Sequence, residues 1–358
     1  MRKYYTRPCN FYYGNQARNL IIKKKALSLT GKTNIAFDHI ELINRKKKKI
    51  IKSYVYHINN IRNLEKNIQY LVKKDLKKIT SKRKNILGLS FNNSKIIGIL
   101  NITPDSFSDG GLYFEDFKAY KQALNIIKSG ANIIDIGGES TRPGSKKVNE
   151  IIEWARVRNS IINIKKKFPQ IPISLDTRKS YVMKNGIKYG VDIINDVSGL
   201  NFDKKSFKII KNKKVPFILN HMKNTPDKMQ INPKYSDAIL DVYDFFEKKI
   251  NFCIKENYNK DLIIIDPGIG FGKNLKHNLR IMSKISILHS LGCPILIGTS
   301  RKRFIEHIVT KFDTQDRTGG TLASVLYGLS QGVQLFRVHN VKEINQGILV
   351  FNKILNTN

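Results

Sequence analysis

The stretch "IIGILNITPDSFSDGG" (residues 96–111) decides the fold, because a continuously apolar run changes abruptly into a polar loop. The run ends at Asn101 and lacks the polar alternation of a strand with one wet face. Strands that are apolar on both faces are typical of parallel sheets covered by helices. The loop, which contains Asp105 and one aromatic residue, Phe107, is either a plain turn or a working part of a site.

Short apolar runs recur downstream and alternate with helix-like segments. The seven further runs are "NIIDIGG" (132–138), "IPISLD" (171–176), "VDIIND" (191–196), "VPFILNH" (215–221), "LIIIDPG" (262–268), "CPILIG" (293–298) and "VQLFRVH" (333–339). Residues 114–130 and 274–292 are examples of the helix-like segments between them. Eight strand–helix units predict an α/β fold of the (β/α)8 TIM-barrel class. An open doubly wound sheet is the alternative.

Polar side chains lie at or near the end of every one of these runs. They are Asn101, Asp135, Asp176, Asn195, Asn220 with His221, Asp266, the segment 300–302, and Arg337 with His339. Any single one could be a helix cap or a turn former. In a barrel, however, the strand ends open onto one face, where active sites are built, so the whole set predicts a site there.

The charge of the chain is extreme and uneven. The 358 residues carry a formal net charge of +36, and Lys is scattered along the whole sequence. Residues 1–90 hold 23 Lys and Arg against 4 Asp and Glu, whereas residues 91–358 hold 41 against 24. Either a biased nucleotide composition or an anionic partner explains this charge. The change in composition divides the chain into a basic N-terminal extension of unknown role (1–90) and the barrel (91–358).

Local patterns inside the extension predict regular structure without chemistry. Residues 26–43 are expected to form two short strands around a turn, and residues 58–79 an amphipathic helix. Neither segment contains a catalytic constellation.

Several classes of protein are disfavoured by the sequence. Cys9, Cys253 and Cys293 lie too far apart for a metal motif or a disulfide framework. The chain has no apolar run of about 18 residues, so no membrane partner is expected. The N-terminus lacks the apolar core of a secretory signal. We expect a bacterial cytoplasmic protein, with a basic organelle transit peptide as the open alternative.

The segment "DPGIGFGK" (266–273) looks like a phosphate loop but fits the known patterns poorly. A P-loop needs Ser or Thr after Gly-Lys, and this chain has Asn274 there. A dinucleotide fingerprint needs a third glycine where Lys273 stands. The glycines either let the backbone approach a flat ligand or make a plain strand-to-helix turn.

Seven segments together resemble the dihydropteroate synthases over residues 95–355. They are "GILNITPDSFSDGG" (98–111), "ANIIDIGGESTRPGS" (131–145), "SLDTRKSYV" (174–182), "IINDVSG" (193–199), "DPGIGFGKNLKHN" (266–278), "GTSRKRFI" (298–305) and "RVHNVKE" (337–343). The resemblance implies that the chain condenses 6-hydroxymethyl-7,8-dihydropterin pyrophosphate with para-aminobenzoate. The products would be 7,8-dihydropteroate and pyrophosphate, in a folate pathway that sulfonamides target.

The same resemblance implies a pterin pocket. Asp266 and Asn195 would grip the amino-pyrimidine edge, and Asp176 would stabilise positive charge on the reduced ring. Lys302 would bond the pterin oxygen or a ring nitrogen, and Arg337 would stack on the pterin face. The complete expected pterin set is Asp135, Asp176, Asn195, Met222, Asp266, Phe271, Lys302 and Arg337.

The remaining implied residues serve the other two ligands and catalysis. Mg²⁺ on Asn101 would hold the pyrophosphate together with Thr141, Arg142, Arg337 and His339. Thr141, Pro143 and Arg303 would border the aminobenzoate; some family members carry Ser where Arg303 stands. Phe107 would cover the aminobenzoate from a mobile lid, and Asp105 would reach the cation or the pyrophosphate. The expected catalytic set is Asp176, Lys302, Arg142, His339, Asp105 and Phe107.

Three other functions compete with this interpretation. Pterin-binding methyltransferases share the barrel and the pterin grip, but they do not need the loops at 103–111 and 140–144 or the "SRK" segment. A paralogue without activity would keep the fold. A nucleic-acid-binding protein would use the basic extension, although we find no dedicated nucleic-acid motif there. The resemblance also implies a homodimer formed through the C-terminal helices.

Overall fold

A computed structural model describes residues 3–46, 50–102, 112–140, 145, 147–225, 229–309 and 317–357. The first structural unit along the chain is N-terminal to the barrel. Its elements are β1 (Tyr4–Tyr13), α1 (Gly14–Ile22), β2 (Leu27–Ser28), β3 (Ile35–Lys46), β4 (Ile50–His57), a 3₁₀ helix (Ile58–Asn63) and α2 (Lys66–Thr80). They build a four-stranded sheet in which β1, β2 and β4 all pair antiparallel with β3.

The second sheet contains eight parallel strands. They are β5 (Lys95–Asn101), β6 (Ile133–Gly137), β7 (Ile173–Asp176), β8 (Ile193–Asp196), β9 (Phe217–Asn220), β10 (Ile263–Asp266), β11 (Leu296–Ile297) and β12 (Leu335–Val338). Their order is β10-β9-β8-β7-β6-β5-β12-β11, and a parallel bridge between Ile265 and Ile295 brings the two edges together. The prediction of a (β/α)8 barrel is therefore confirmed, with all eight strands in the predicted runs.

Helices cover the outside of the barrel. They are α3 (Leu112–Lys128), α4 (Glu150–Lys167), α5 (Ser180–Lys188), α6 (Ser206–Lys213), α7 (Ala238–Lys255), α8 (Leu275–Ser283), α9 (Arg303–Val309), α10 (Thr318–Ser330) and α11 (Val341–Leu355). Side chains of Asn149, Asp237 and Asn274 cap the first turns of α4, α7 and α8. In the part of the chain that the structure describes, none of the helices has the length and hydropathy to cross a membrane.

The N-terminal mouth of the barrel is filled with apolar side chains. Seven of the eight strands each contribute one buried Ile or Leu to one cluster, namely Ile97, Ile133, Ile193, Ile218, Ile264, Leu296 and Leu335. Ile86 and Phe91, from the segment that joins the two sheets, pack into the same cluster. This filling leaves the opposite mouth, at the strand C-termini, for ligands.

The expected boundary between the extension and the barrel, at residues 90 and 91, stays a prediction.

The extension matches its two local predictions in part. β2 and β3 pair within residues 26–43, as expected. The helix expected over 58–79 is wrong at its start, because residues 58–63 form a 3₁₀ helix and α2 begins only at Lys66. Three of the six residues in 58–63 are Asn, whose side chains compete for backbone hydrogen bonds and disfavour an α-helix.

The N-terminal unit is bound to the barrel through buried charge. Arg45 donates through Nη2 to Asp241 Oδ1 and through Nη1 to Asp244 Oδ2, each at 3.0 Å. The Tyr5 hydroxyl donates to Asp244 Oδ1 at 2.8 Å, and Lys284 Nζ lies 2.8 Å from Glu41 Oε1. These contacts join β1 and β3 to α7 and to the segment after α8, so the extension is part of the barrel's packing.

Candidate active site

Four residues from four strands meet inside the C-terminal mouth. Arg337 on β12 donates through Nε to Asp135 Oδ2 at 2.6 Å and through Nη2 to Asp176 Oδ2 at 2.8 Å. Asn195 Nδ2 donates to Asp135 Oδ2 at 3.2 Å. The structure thus brings together four residues of the expected pterin set. Asp135, Asn195 and Arg337 lie one or two residues before their strands end, whereas Asp176 is the last residue of β7.

Burial raises the pKa of two strand-end carboxyls, Asp176 and Asp266. Burial raises the pKa of Asp176 to about 7; Arg337 opposes this rise, and the nearby charge of Asp135 adds to it. Burial likewise raises the pKa of Asp266 to about 6, although the backbone N–H of Gly268 donates to Oδ1 at 2.8 Å and favours the ionised form. Both carboxyls therefore change charge close to neutral pH.

The mouth contains buried acceptor oxygens that have no hydrogen-bond partner among the described residues. These atoms are Asp135 Oδ1, Asp176 Oδ1, Asn195 Oδ1 and Asn220 Oδ1. Leaving a buried acceptor unpaired costs about 1–3 kcal/mol, so such groups are normally satisfied. A ligand with several N–H donors on one edge would satisfy oxygens arranged in this way. Asn220 is a strand-end residue that the expected set left out.

A cation and an apolar wall line another side of the mouth. Lys302 Nζ lies 3.8 Å from the ring centroid of Phe271. Burial and, next, the charge of Arg337 lower the pKa of Lys302 to about 8. Phe271 packs with Met222 and Met229 in one buried cluster. Lys302, Phe271 and Met222 were expected here, whereas Met229 was not.

The glycine-rich loop after β10 is a tightly packed turn. Gly268 and Gly270 have φ of +65° and +83°. A Cβ on Gly268 would lie 2.1 Å from the backbone oxygen of His221, and one on Gly270 would lie 3.0 Å from Lys302 Cδ. The glycines therefore permit close packing against the strand-end loop after β9 and against Lys302.

Lys273, which the sequence left without a role, holds this loop in place. Its Nζ donates to the backbone oxygens of Gly268 and Phe271 at 2.9 Å and of His221 at 3.1 Å, and lies 2.9 Å from His221 Nδ1. Gly268 in turn donates to Asp266, and Phe271 lies under Lys302. By binding these backbone oxygens, Lys273 supports two expected pterin residues, Asp266 and Phe271. In the sequence, the role of Lys273 was indicated only by its place after Gly272 in a glycine-rich loop.

Replacing Lys273 by Met is expected to lower both stability and pterin affinity. The variant removes the donor of the buried carbonyls of His221 and Phe271, which costs about 1–3 kcal/mol for each unsatisfied group before relaxation; the carbonyl of Gly268 still accepts the backbone N–H of Phe271. We expect KM for the dihydropterin substrate to rise about tenfold, while KM for aminobenzoate changes little. Steady-state kinetics and urea unfolding measure the two effects. Lys276→Met, an exposed change on α8, is the matched control; equal KM values in the two variants would contradict the role of Lys273.

The remaining donors lie around the "SRK" segment. His339 Nδ1 lies 3.0 Å from Ser300 Oγ, which also accepts the His339 backbone N–H at 3.2 Å. Arg301 adopts a left-handed φ of +58° and donates through Nη2 to Asn340 Oδ1 at 2.9 Å. This turn directs Lys302 inward and leaves Arg303 exposed at the start of α9. The expected contact of Arg303 with aminobenzoate stays a prediction.

Asn101 is the last residue of β5 and is half-buried at the mouth. An ideal Cβ on Gly137, the last residue of β6, would lie 3.8 Å from Asn101 Oδ1 and 3.5 Å from Asp176 Cβ. Asn101 therefore lies beside the acidic cluster. The predictions for Asp105, Phe107, Thr141, Arg142 and Pro143 concern residues outside those that the structure describes.

Comparisons with known proteins agree with this geometry. Residues 97–339 match the family model described as a pterin binding enzyme. The dihydropteroate synthase of Bacillus subtilis is 40% identical over 261 residues, covering 73% of this chain and 88% of that protein. The Yersinia pestis dihydropteroate synthase, solved as a sulfonamide drug complex, aligns with a TM-score of 0.71 and 35% identity over 76% of this chain and 98% of that one.

A third relative carries the reaction product. The Xanthomonas albilineans dihydropteroate synthase in complex with 7,8-dihydropteroate aligns with a TM-score of 0.67 and 30% identity, over 74% of this chain and 95% of that one. Family match, identity and fold agree over the region that contains the strand-end cluster. The chain therefore belongs to the pterin-binding enzymes, and within them to the dihydropteroate synthases, the transferases of folate biosynthesis.

Proposed function

We propose that the strand-end cluster is where this chain joins the dihydropterin to para-aminobenzoate. The observation that carries this assignment is the set of unpaired buried oxygens on Asp135, Asp176, Asn195 and Asn220. The amino-pyrimidine edge of a pterin offers N–H donors that would pair with them, which removes the cost of the unsatisfied acceptors. Asp266, at the end of β10, offers a further carboxylate to the same edge.

We propose a dissociative, SN1-like substitution. The bond between the pterin methylene carbon and the pyrophosphate oxygen breaks first, and the leaving group keeps the electron pair. The amine nitrogen of aminobenzoate then forms the new C–N bond and loses a proton. The positive charge left on the dihydropterin lies near Asp176, whose carboxylate stabilises it; fixed charges of this kind are typically the largest catalytic contribution.

Positioning accounts for the second half of the reaction. The aromatic amine is neutral at pH 7 and is already nucleophilic, so it needs orientation more than a general base. Lys302 on Phe271 and the Met222 wall supply a flat apolar surface with a cation at one edge. This scheme uses no Ser or Cys nucleophile and no covalent intermediate on the enzyme.

Mg²⁺ fits the leaving-group end of the mouth. Within the described residues, no group of three or more His, Cys, Asp or Glu side chains could hold a metal. Mg²⁺ commonly takes one or two protein oxygens and completes its shell with substrate phosphates and water. Asn101, beside Asp176, would supply such an oxygen, and Arg337 on the neighbouring strand β12 and His339, directly after that strand, would hold the pyrophosphate. Bound there, Mg²⁺ would neutralise charge on the leaving pyrophosphate.

The defining experiment is direct synthesis. The purified chain is incubated with dihydropterin pyrophosphate, para-aminobenzoate and Mg²⁺, and both dihydropteroate and pyrophosphate are measured. We expect equimolar products, and no turnover when EDTA removes the metal until Mg²⁺ is restored. Folded protein that makes no product with all components present would refute the proposed chemistry.

The pH dependence of kcat/KM for the pterin substrate is expected to be bell-shaped. Activity needs Asp176 ionised, so it rises as the pH passes through about 7. Activity also needs Lys302 protonated, so it falls as the pH passes through about 8. Initial rates between pH 5.5 and 9.5, at subsaturating pterin, give this profile. A flat profile across that range would contradict these two roles.

Exposed apolar side chains on α11 support the dimer that the resemblance implies. Leu349, Val350 and Ile354 on this helix are exposed, and a contiguous exposed apolar patch commonly marks a protein interface. We propose a homodimer through the C-terminal helices. Sedimentation equilibrium should give twice the chain mass for the wild type and the single mass for Leu349→Glu; two equal masses would contradict this interface.

The cellular setting is also a proposal. The relatives compared above are bacterial enzymes, which supports a bacterial cytoplasmic location. Fractionation of the source cells, followed by immunoblotting, tests this assignment.

A further inference from the structure

A cavity separate from the active site lies where the N-terminal unit meets the last helices of the barrel. Its volume is about 100 Å³, enough for several waters or one small anion. Four parts of the chain contribute to its wall: the extension (including Lys32 and Asn34), the connecting segment 92–94, the end of α10 with the turn after it (Leu329 and Gly332), and α11 with the residues after it (including Asn356). None of these residues belongs to the strand-end cluster.

Lys32 is the charged group that lines this cavity. It lies in the turn between β2 and β3 and is half-buried. Among the residues that the structure describes, no acidic side chain pairs with it. Burial and, next, the cationic neighbours Arg83 and Lys95 lower the pKa of Lys32 to about 8. A desolvated ammonium among like charges is costly unless an anion compensates it.

The rest of the lining is uncharged: amide and hydroxyl groups lie beside the apolar side chains of Ile35, Leu329 and Leu355. Asn34 Nδ2 donates to Asn356 Oδ1 at 3.3 Å, and Asn356 Nδ2 donates to Asn352 O at 2.6 Å. These bonds fix the asparagine side chains of the extension and of the C-terminal segment against each other. Asn92, Asn93 and Ser94 add further amide and hydroxyl groups to the wall. One lysine in a small cavity that also presents amides and a hydroxyl suits the oxygens of a small anion.

We propose that this cavity binds a small oxyanion, phosphate or carboxylate in type, through Lys32. The ligand would neutralise the Lys32 ammonium and would cross-link the β2–β3 turn, the connecting segment and α11. Binding at this place makes the docking of the extension on the barrel dependent on the anion. It thereby gives the basic extension a role that is separate from catalysis.

Thermal unfolding of the full chain tests the proposal. Wild type, Lys32→Met and Lys25→Met are melted in a phosphate-free amine buffer with sodium chloride, and again with added inorganic phosphate or added acetate at equal ionic strength. Lys25 is exposed in the turn between α1 and β2 and is the matched control. We expect phosphate, acetate or both to raise Tm by roughly 3 °C in wild type and Lys25→Met, and not in Lys32→Met. The responding anion identifies the ligand type.

The phosphate-free melts separate a ligand site from a structural lysine. Lys32→Met removes an uncompensated cation, so its Tm without anion should equal or exceed that of wild type, with unchanged synthase turnover. Anion binding at the active site would raise Tm equally in all three proteins, which would overturn the proposal. A lower Tm of Lys32→Met without anion would overturn it as well, because Lys32 would then stabilise the apo fold.

Discussion

Asp176→Asn is expected to lower kcat for dihydropteroate formation by about 10²–10³-fold, with the fold retained. Asn keeps the size of Asp but removes the charge that stabilises the cationic pterin, and Arg337 loses one of its two carboxylate partners. Asp176 is buried and lies at the C-terminal end of its strand, so water cannot replace the lost charge. Steady-state rates at about pH 7.5, with circular dichroism melts, measure the effect.

Asp192→Asn is the matched control for this variant. Asp192 directly precedes β8, at the N-terminal end of the strand and away from the mouth, where it pairs with Lys165 Nζ at 2.7 Å. We expect it to change kcat by less than about twofold. The electrostatic role of Asp176 would be untenable if Asp176→Asn kept the wild-type kcat, or if both variants lost the same factor.

Arg45→Met is expected to reduce the free energy of unfolding by about 2–4 kcal/mol. The Arg45 side chain is 1% exposed and bridges Asp241 and Asp244, so its loss leaves two neighbouring carboxylates without their cation. Removing one partner of a fully buried pair costs about 3–5 kcal/mol. We expect a smaller loss because the two carboxylates are 27% and 22% exposed and regain some water. Urea unfolding followed by fluorescence gives the value.

Arg18→Met provides the comparison for Arg45→Met. Arg18 is exposed on α1, and among the described residues its side chain bonds only Asn15 of its own helix, at 3.1 Å. Its replacement is expected to change stability by less than about 0.5 kcal/mol. If Arg45→Met unfolded at the same urea concentration as Arg18→Met, the extension would not be docked through β3 and α7 as described.

Local sequence patterns predicted the barrel well because its signals are local. A run such as 96–100 is apolar on both faces, which is typical of a parallel strand that is buried on both sides. The extension was harder. β1 carries Pro8 and little alternation, and it is stabilised by pairing with β3, about thirty residues away, which no local pattern reports. The asparagine-rich residues 58–63 have the apolar spacing of an α-helix but form a 3₁₀ helix.

The sequence by itself determined which residues stand near the strand ends and therefore which groups can meet. Only the closed barrel decided how they meet, because Arg337 reaches Asp135 and Asp176 across 202 and 161 residues of chain. The same holds for Lys273, whose sequence suggested a weak phosphate loop and whose amine instead binds backbone oxygens inside the protein. Composition and periodicity are fixed by neighbours along the chain. Burial, which sets the pKa of Asp176 and the partners of Lys273, is fixed by neighbours in space.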